Sequence, residues 1–154
     1  MKKTPPVHEK MDKFSVVDNC LMVGGTSLTK LAAQVGQTPF YAYDSSVIKQ
    51  QVMHFRQYIP ADIKLHYAIK ANPMPAVVQF LSKIVDGFDL ASTGEMKVAL
   101  DTGMSPEFIS FAGPGKQTHD LASAIAAGVT INLESEAEFH RALNAADKIG
   151  IRPK

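Results

Sequence analysis

Short apolar runs alternate with longer stretches of helical period along most of this chain. Strand-like runs centre near Tyr41, Tyr67, Phe88, Ile109 and Ile131, at spacings of roughly 21–26 residues, about one βα unit each. The segments between them carry apolar side chains three and four residues apart. Ser46 to Tyr58 carries Val47, Ile48, Val52 and Phe55, and Pro75 to Ile84 carries Val77, Val78, Phe80 and Leu81. Gly94 to Asp101 carries Met96, Val98 and Leu100, and Thr118 to Ala127 carries Leu121, Ala122 and Ile125. Ser135 to Ile149 carries Ala137, Phe139, Leu143 and Ala146. Ser46, Thr93, Thr118 and Ser135 stand where helix N-caps are wanted, and Glu138 is spaced to complete a capping box with Ser135. Gly87, Gly103, Gly128 and Gly150 fall at or just past predicted helix ends, where a left-handed residue is useful.

Residues 1–37 follow another pattern. Phe14-Ser15-Val16-Val17 and Leu21-Met22-Val23 flank Asp18-Asn19-Cys20, and Gly24-Gly25 follows as a turn. This predicts a β-hairpin arm and then a short helix, Ser27 to Val35, ended by Gly36. The basic start, Met1 to Pro6, has no apolar stretch after it, so it does not read as a secretory signal.

Repeated strand and helix imply an α/β fold with a parallel sheet. The dinucleotide fingerprint is missing, since Gly113-Pro114-Gly115 does not match GxGxxG. The expected architecture is therefore a (β/α)8 TIM-type barrel preceded by an N-terminal β arm. About five βα units are present, too few to close a barrel, so the sequence is expected to be truncated relative to a complete protein. The expected division is an arm at 1–37 and a partial barrel at 38–154.

Composition narrows the function. Net charge is +1, and no dense basic block argues for nucleic acid or an anionic membrane. No apolar run approaches the ~20 residues a membrane helix needs. Cys20 is the only cysteine, which excludes an intrachain disulfide and a multi-thiolate zinc site and suits a reducing, cytoplasmic compartment.

The most informative stretch is His66-Tyr67-Ala68-Ile69-Lys70-Ala71-Asn72-Pro73. Period two puts Leu65, Tyr67 and Ile69 on one face, suited to packing on helices, and His66, Ala68 and Lys70 on the other. Lys70 would then end a strand inside the barrel, at the carboxyl end where barrel sites lie. Desolvation there makes an amine nucleophilic. Pattern alone leaves a second reading open, a strand-terminal lysine that snorkels to water. In the next strand Asp89 points away from Phe88 and Leu90, either towards the same mouth as Lys70 or as a strand-end cap. Asn72 reads as a substrate contact or a turn cap. Ser110, Ala112 and Gly113 leave room for a ligand or are ordinary packing, and Asn132 and Glu134 read mainly as caps of the next helix. His119 and His140 fall on predicted helices and read as solvated, with no metal ligand at suitable spacing.

Tyr67-Ala68-Ile69-Lys70-Ala71-Asn72 resembles the cofactor-lysine motif of the fold-type III pyridoxal-phosphate decarboxylases, which include diaminopimelate, ornithine and arginine decarboxylases. Further blocks resemble that family in order: Thr38 to Tyr43, Gly87 to Ser92, Gly94-Glu95, Phe111 to Lys116, and Ile131 to Ser135. Alanine racemases have a similar lysine motif but continue it with Tyr-Gly-His-Gly, where this chain has Asn72-Pro73-Met74-Pro75. Val35 to Tyr43 together with Lys70 to Pro75 looks closest to the diaminopimelate-decarboxylase-like proteins associated with exosortase and exopolysaccharide systems.

The resemblance implies that pyridoxal 5'-phosphate is the cofactor, held as a Schiff base by Lys70 with Asp89 beside it. It implies decarboxylation of an amino acid, diaminopimelate-like or another basic one, by a homodimer. The remaining family residues would lie beyond Lys154, and the arm would belong to the β-domain of the complete enzyme. The fragment alone would then be inactive. A non-catalytic pyridoxal-phosphate-binding barrel and an inactive regulatory paralogue are the alternatives.

Overall fold

The computed structural model describes residues 12–154, so the expectation for Met1 to Pro6 lies outside the described residues. The chain divides into two compact units, Met1–Gln57 and Tyr58–Lys154.

In the first unit a three-stranded antiparallel sheet runs β1 (Val16–Val17), β2 (Cys20–Val23), β3 (Thr26–Ser27). Two two-residue turns build it. Asp18 and Asn19 both have positive φ, 49° and 57°, as do Gly24 and Gly25, 57° and 74°. This is the backbone that tight hairpins require, and Asp, Asn and Gly adopt it at least cost. The third strand is an addition to the predicted hairpin. Ser27 caps α1 (Leu28–Val35), which ends at a left-handed Gly36 as expected. Asp44 opens α2 (Ser45–Arg56). Its Oδ1 accepts the Ser46 N–H at 2.8 Å and its Oδ2 the Gly24 N–H at 2.8 Å, so one carboxylate ties helix start to hairpin turn. Ser46, expected to be the cap, instead donates to the true one, because Asp44 lies two residues earlier in extended backbone.

The second unit is a parallel sheet in the order β4 (His66–Ala68), β5 (Gly87–Leu90), β6 (Ile109–Phe111), β7 (Thr130–Ile131). Each strand pairs with its successor, and helices α3 (Pro75–Leu81), α4 (Thr93–Asp101), α5 (Thr118–Ala127) and α6 (Glu136–Ile149) follow them in turn. Unbroken sequential order is the winding of a barrel wall. A doubly wound sheet reverses its order at a switch point. After α6 the chain returns towards β7, where the Lys154 carbonyl accepts the Ile131 N–H at 3.0 Å. Phe88, Leu90, Ile109 and Phe111 form one buried face with Val77, Val78, Leu81, Leu121 and Ile125 of the helices. Asp89 and Ser110 occupy the opposite, half-buried face. The expected division of the sheet into a bulky outer face and a small-residue inner face is therefore present.

Several local expectations are corrected. Phe40 to Tyr43 form no strand, so four parallel strands are present among the described residues, not five. An apolar alternation becomes a strand only when a neighbour accepts its ladder. Thr93 and Thr118 are first helical residues, and the caps are Ser92 and Gln117. Ser135 does cap α6, but the Glu138 carboxylate takes the Glu134 N–H, not that of Ser135, leaving the capping box half made. Gly103, Gly128 and Gly150 are left-handed, whereas Gly87 opens β5 with no positive φ. A Cβ on Gly87 would meet the Phe108 carbonyl oxygen at 2.2 Å and the His66 ring at 2.6 Å, so close approach, not turn geometry, demands glycine there. On α6 the buried residues are Glu138, Ala142, Ala145 and Ala146, while Phe139 and Leu143 are exposed. Small side chains let that helix approach Ile125 of α5 closely. Among the described residues no helix is long and apolar enough to cross a membrane.

Candidate active site

The carboxyl ends of β4–β7 bring the predicted site residues to one end of the sheet. Register sets one row across the inner face. Ala68 lies opposite Asp89, Asp89 opposite Ser110, and Ser110 opposite Thr130. Ser110 Oγ donates to Asp89 Oδ1 at 2.7 Å. Lys70 sits two residues beyond Ala68, in a 3-10 turn over Ile69–Ala71, and not on the strand itself. Ile69 is fully buried beneath the turn and anchors it. Asn72 closes the turn with its N–H on the Ile69 carbonyl, and its own side chain accepts the Met74 N–H at 3.1 Å, the turn-capping alternative.

The expectation of a buried lysine is corrected. Lys70 is exposed, and among the described residues its amine has neither an ion pair nor a hydrogen-bond partner. The 3-10 turn over Ile69–Ala71 follows directly on Ala68, so Lys70 stands beyond the strand at the rim. Asp89 is half-buried, and its Oδ2 has no hydrogen bond among the described residues. Ala91 and Ala112, just beyond β5 and β6, carry small side chains. An unpartnered primary amine at the carboxyl end of the sheet, two residues beyond the row that holds Asp89, fits an aldehyde cofactor that forms a covalent bond to nitrogen.

Loops around this rim are fixed by polar groups that sequence reasoning missed. Lys116 is 3% exposed and Glu138 1%. The Lys116 Nζ lies 3.3 Å from Glu138 Oε1, donates to the Gly113 carbonyl, and sits 5.9 Å from the centre of the Phe111 ring. Glu138 Oε1 has no aligned hydrogen bond and faces the Lys116 ammonium, while Oε2 accepts the Glu134 N–H at 2.8 Å. Glu134, expected as a helix cap, reaches back to accept the Gly113 N–H. The loop after β6 is thus bound to the loop after β7 and the start of α6. A lysine directly after Gly113-Pro114-Gly115 was the available signal, but its acidic partner lies on α6, 22 residues further along the chain.

A second link joins the helix N-termini on this side. Thr93 Oγ1 donates to Asp120 Oδ1 at 2.7 Å, and the Gln117 N–H donates to Oδ2 at 2.8 Å. Burial works against the Asp120 charge, but the Thr93 hydroxyl, the Gln117 N–H and nearby His119 outweigh it and hold the carboxyl below its ordinary value. Glu95 likewise accepts the Ala91 N–H at 2.9 Å. His119 and His140 are exposed beside Asp120 and Glu136, as expected. Among the described residues no cluster of His, Cys, Asp and Glu could hold a metal ion.

Residues 45–152 match the profile of the family described as "Pyridoxal-dependent decarboxylase, pyridoxal binding domain". The chain belongs to this family. The matched domain is the pyridoxal-binding one, in agreement with the cofactor implied by the lysine motif. A diaminopimelate decarboxylase of Aquifex aeolicus is 37% identical over 134 residues, 86% of this chain and 31% of that protein. A crystal structure from the same organism superposes with a TM-score of 0.84 at 35% identity, covering 91% of this chain and 35% of that one. Diaminopimelate decarboxylase of Helicobacter pylori complexed with L-lysine gives a TM-score of 0.73 at 31% identity, covering 81% of this chain and 32% of that one. The chain thus spans about a third of the length of these relatives.

Proposed function

We propose that this chain is the lysine-bearing part of a pyridoxal-phosphate-dependent decarboxylase acting on an amino acid with a basic side chain, diaminopimelate or a related compound. The observation that carries this reading is the exposed, unpartnered amine of Lys70 at the carboxyl rim of a sequentially wound parallel sheet, two residues beyond the row that holds Asp89. Similarity to diaminopimelate decarboxylases, one of them complexed with L-lysine, supports the substrate class.

Lys70 holds the cofactor covalently through its nitrogen, and Asp89 orients that amine or a protonated group next to it. When bound, the cofactor supplies the electron sink that lets the α-carboxylate leave as carbon dioxide. Ala91 and Ala112 keep the approach open, and the Lys116–Glu138 pair holds the rim loops in one geometry. The working enzyme is a cytoplasmic homodimer in which residues 1–37 belong with a β-domain, and the 154-residue chain alone does not turn over substrate.

Borohydride reduction of the full-length protein loaded with pyridoxal phosphate tests the assignment. The cofactor is expected on the peptide containing Lys70. Lys70→Ala and Lys70→Arg are expected to abolish both visible absorbance and turnover, since a guanidinium stays protonated and cannot form the bond. Labelling at Lys64, Lys83 or Lys116, with Lys70→Ala still active, would overturn it. Covalent binding at Lys70 with no turnover of any basic amino acid would instead identify a non-catalytic binding protein.

A further inference from the structure

We propose that Ser110 is a positioning residue that sets the orientation of Asp89 towards the Lys70 amine; this rests on the assignment of Lys70 as the cofactor lysine. As sequence, Ser110 reads as a small side chain filling the end of a strand. Its place in the register makes it more specific. It is directly opposite Asp89 in the β5–β6 ladder, on the same half-buried inner face. Side chains paired in this way across neighbouring strands stand about 5 Å apart, the reach of one short hydrogen bond.

The bond that forms is Ser110 Oγ to Asp89 Oδ1 at 2.7 Å. It engages one carboxylate oxygen and leaves the other without a hydrogen bond among the described residues. A free aspartate samples several rotamers. One tied at Oδ1 to a strand residue presents Oδ2 in a fixed direction. The other neighbour of Asp89 in the row is Ala68, which has no polar group to compete. Ala68 is also the residue from which the chain enters the Lys70 turn. Ser110 is therefore the polar side chain, among the described residues, that holds this carboxylate, and it does so from the side away from Lys70.

The test uses the full-length apo-protein with added pyridoxal phosphate, and reads the rate of covalent attachment by visible absorbance and by borohydride fixation at Lys70. Ser110→Thr keeps the hydroxyl, and Ser110→Val has nearly the same shape without it. A hydrogen bond to a charged group is strong enough for an effect of about tenfold. The expected result is near wild-type attachment in Ser110→Thr and attachment about tenfold slower in Ser110→Val, at a temperature well below the melting transition of both variants. In an Asp89→Asn background, Ser110→Val is expected to add no further loss, because the hydroxyl acts through the carboxylate. Equal rates in the Thr and Val variants, or an undiminished loss in the Asp89→Asn background, would overturn the proposal while leaving Lys70 in place. Fixation of the cofactor at another lysine in the wild-type protein would overturn both.

Discussion

Among the described residues the first unit buries one apolar side chain, Val23, while the second buries Phe88, Leu90, Ile109, Phe111, Leu121, Ile125 and others to 1% exposure or less. The first unit leaves Val16, Val17, Tyr41, Met53 and Phe55 largely exposed. Its order comes from turn chemistry: two hairpin turns, a serine cap, a left-handed glycine, and Asp44 bridging Gly24 to Ser46. The second unit also has serine caps and left-handed glycines, and adds a packed core and a buried ion pair. Local devices specify a shape, but burial supplies the larger share of the free energy. The candidate site accordingly stands on the second unit, where a rigid base holds the rim.

Substitutions can break that comparison at its strongest points. Phe88→Ala, under the sheet that carries Asp89, is expected to cost about 3–5 kcal/mol in denaturant unfolding of the full-length protein. A cost below about 1 kcal/mol would show that the second unit has no tight core. Lys116→Ala leaves the Glu138 carboxylate buried without its counter-charge, at an expected cost of about 3–5 kcal/mol. Adding Glu138→Gln should recover much of that loss, because the orphaned charge is removed. A double variant no better than Lys116→Ala would assign the cost to lost packing instead.

The first unit should respond more weakly. Val23→Ala removes two methyl groups and is expected to cost about 1–2 kcal/mol, read as faster hydrogen exchange in β1–β3 with little change in β4–β7. Equal loss of protection in both would show that they unfold together. The smallest expected effect concerns Asp44. Ser46 and then the Gly24 N–H hold its carboxyl below the ordinary value, so the charged form is favoured by folding. That contribution is complete above the unfolded carboxyl range and is lost as pH falls through the lower folded value. Amide protection of Gly24 and Ser46 should therefore fall in acid, and should be weak at every pH in Asp44→Ala. Protection independent of pH would remove Asp44 from the account.

Much of this was legible in the chain, because it depends on neighbours in sequence. Alternation at Phe88-Asp89-Leu90 determines which side chains share a face. Asp18-Asn19 and Gly24-Gly25 determine tight turns, Gly36 and Gly150 determine helix ends, and the motif around Lys70 resembles the family to which the chain belongs. Tertiary structure decided whatever depends on residues distant in sequence. Tyr41 lies in an apolar alternation without a ladder, and Lys70 stands on a turn at the rim, not inside. Gly87 is required by the His66 ring and the Phe108 carbonyl, neither of which is local to it. Lys116, in the loop before α5, finds Glu138 on α6, and Ser110 meets Asp89 only because β5 and β6 pair in that register. Periodicity is a property of one element and can be read from its residues. A register, a close approach or an ion pair belongs to two elements at once and exists only after they have packed.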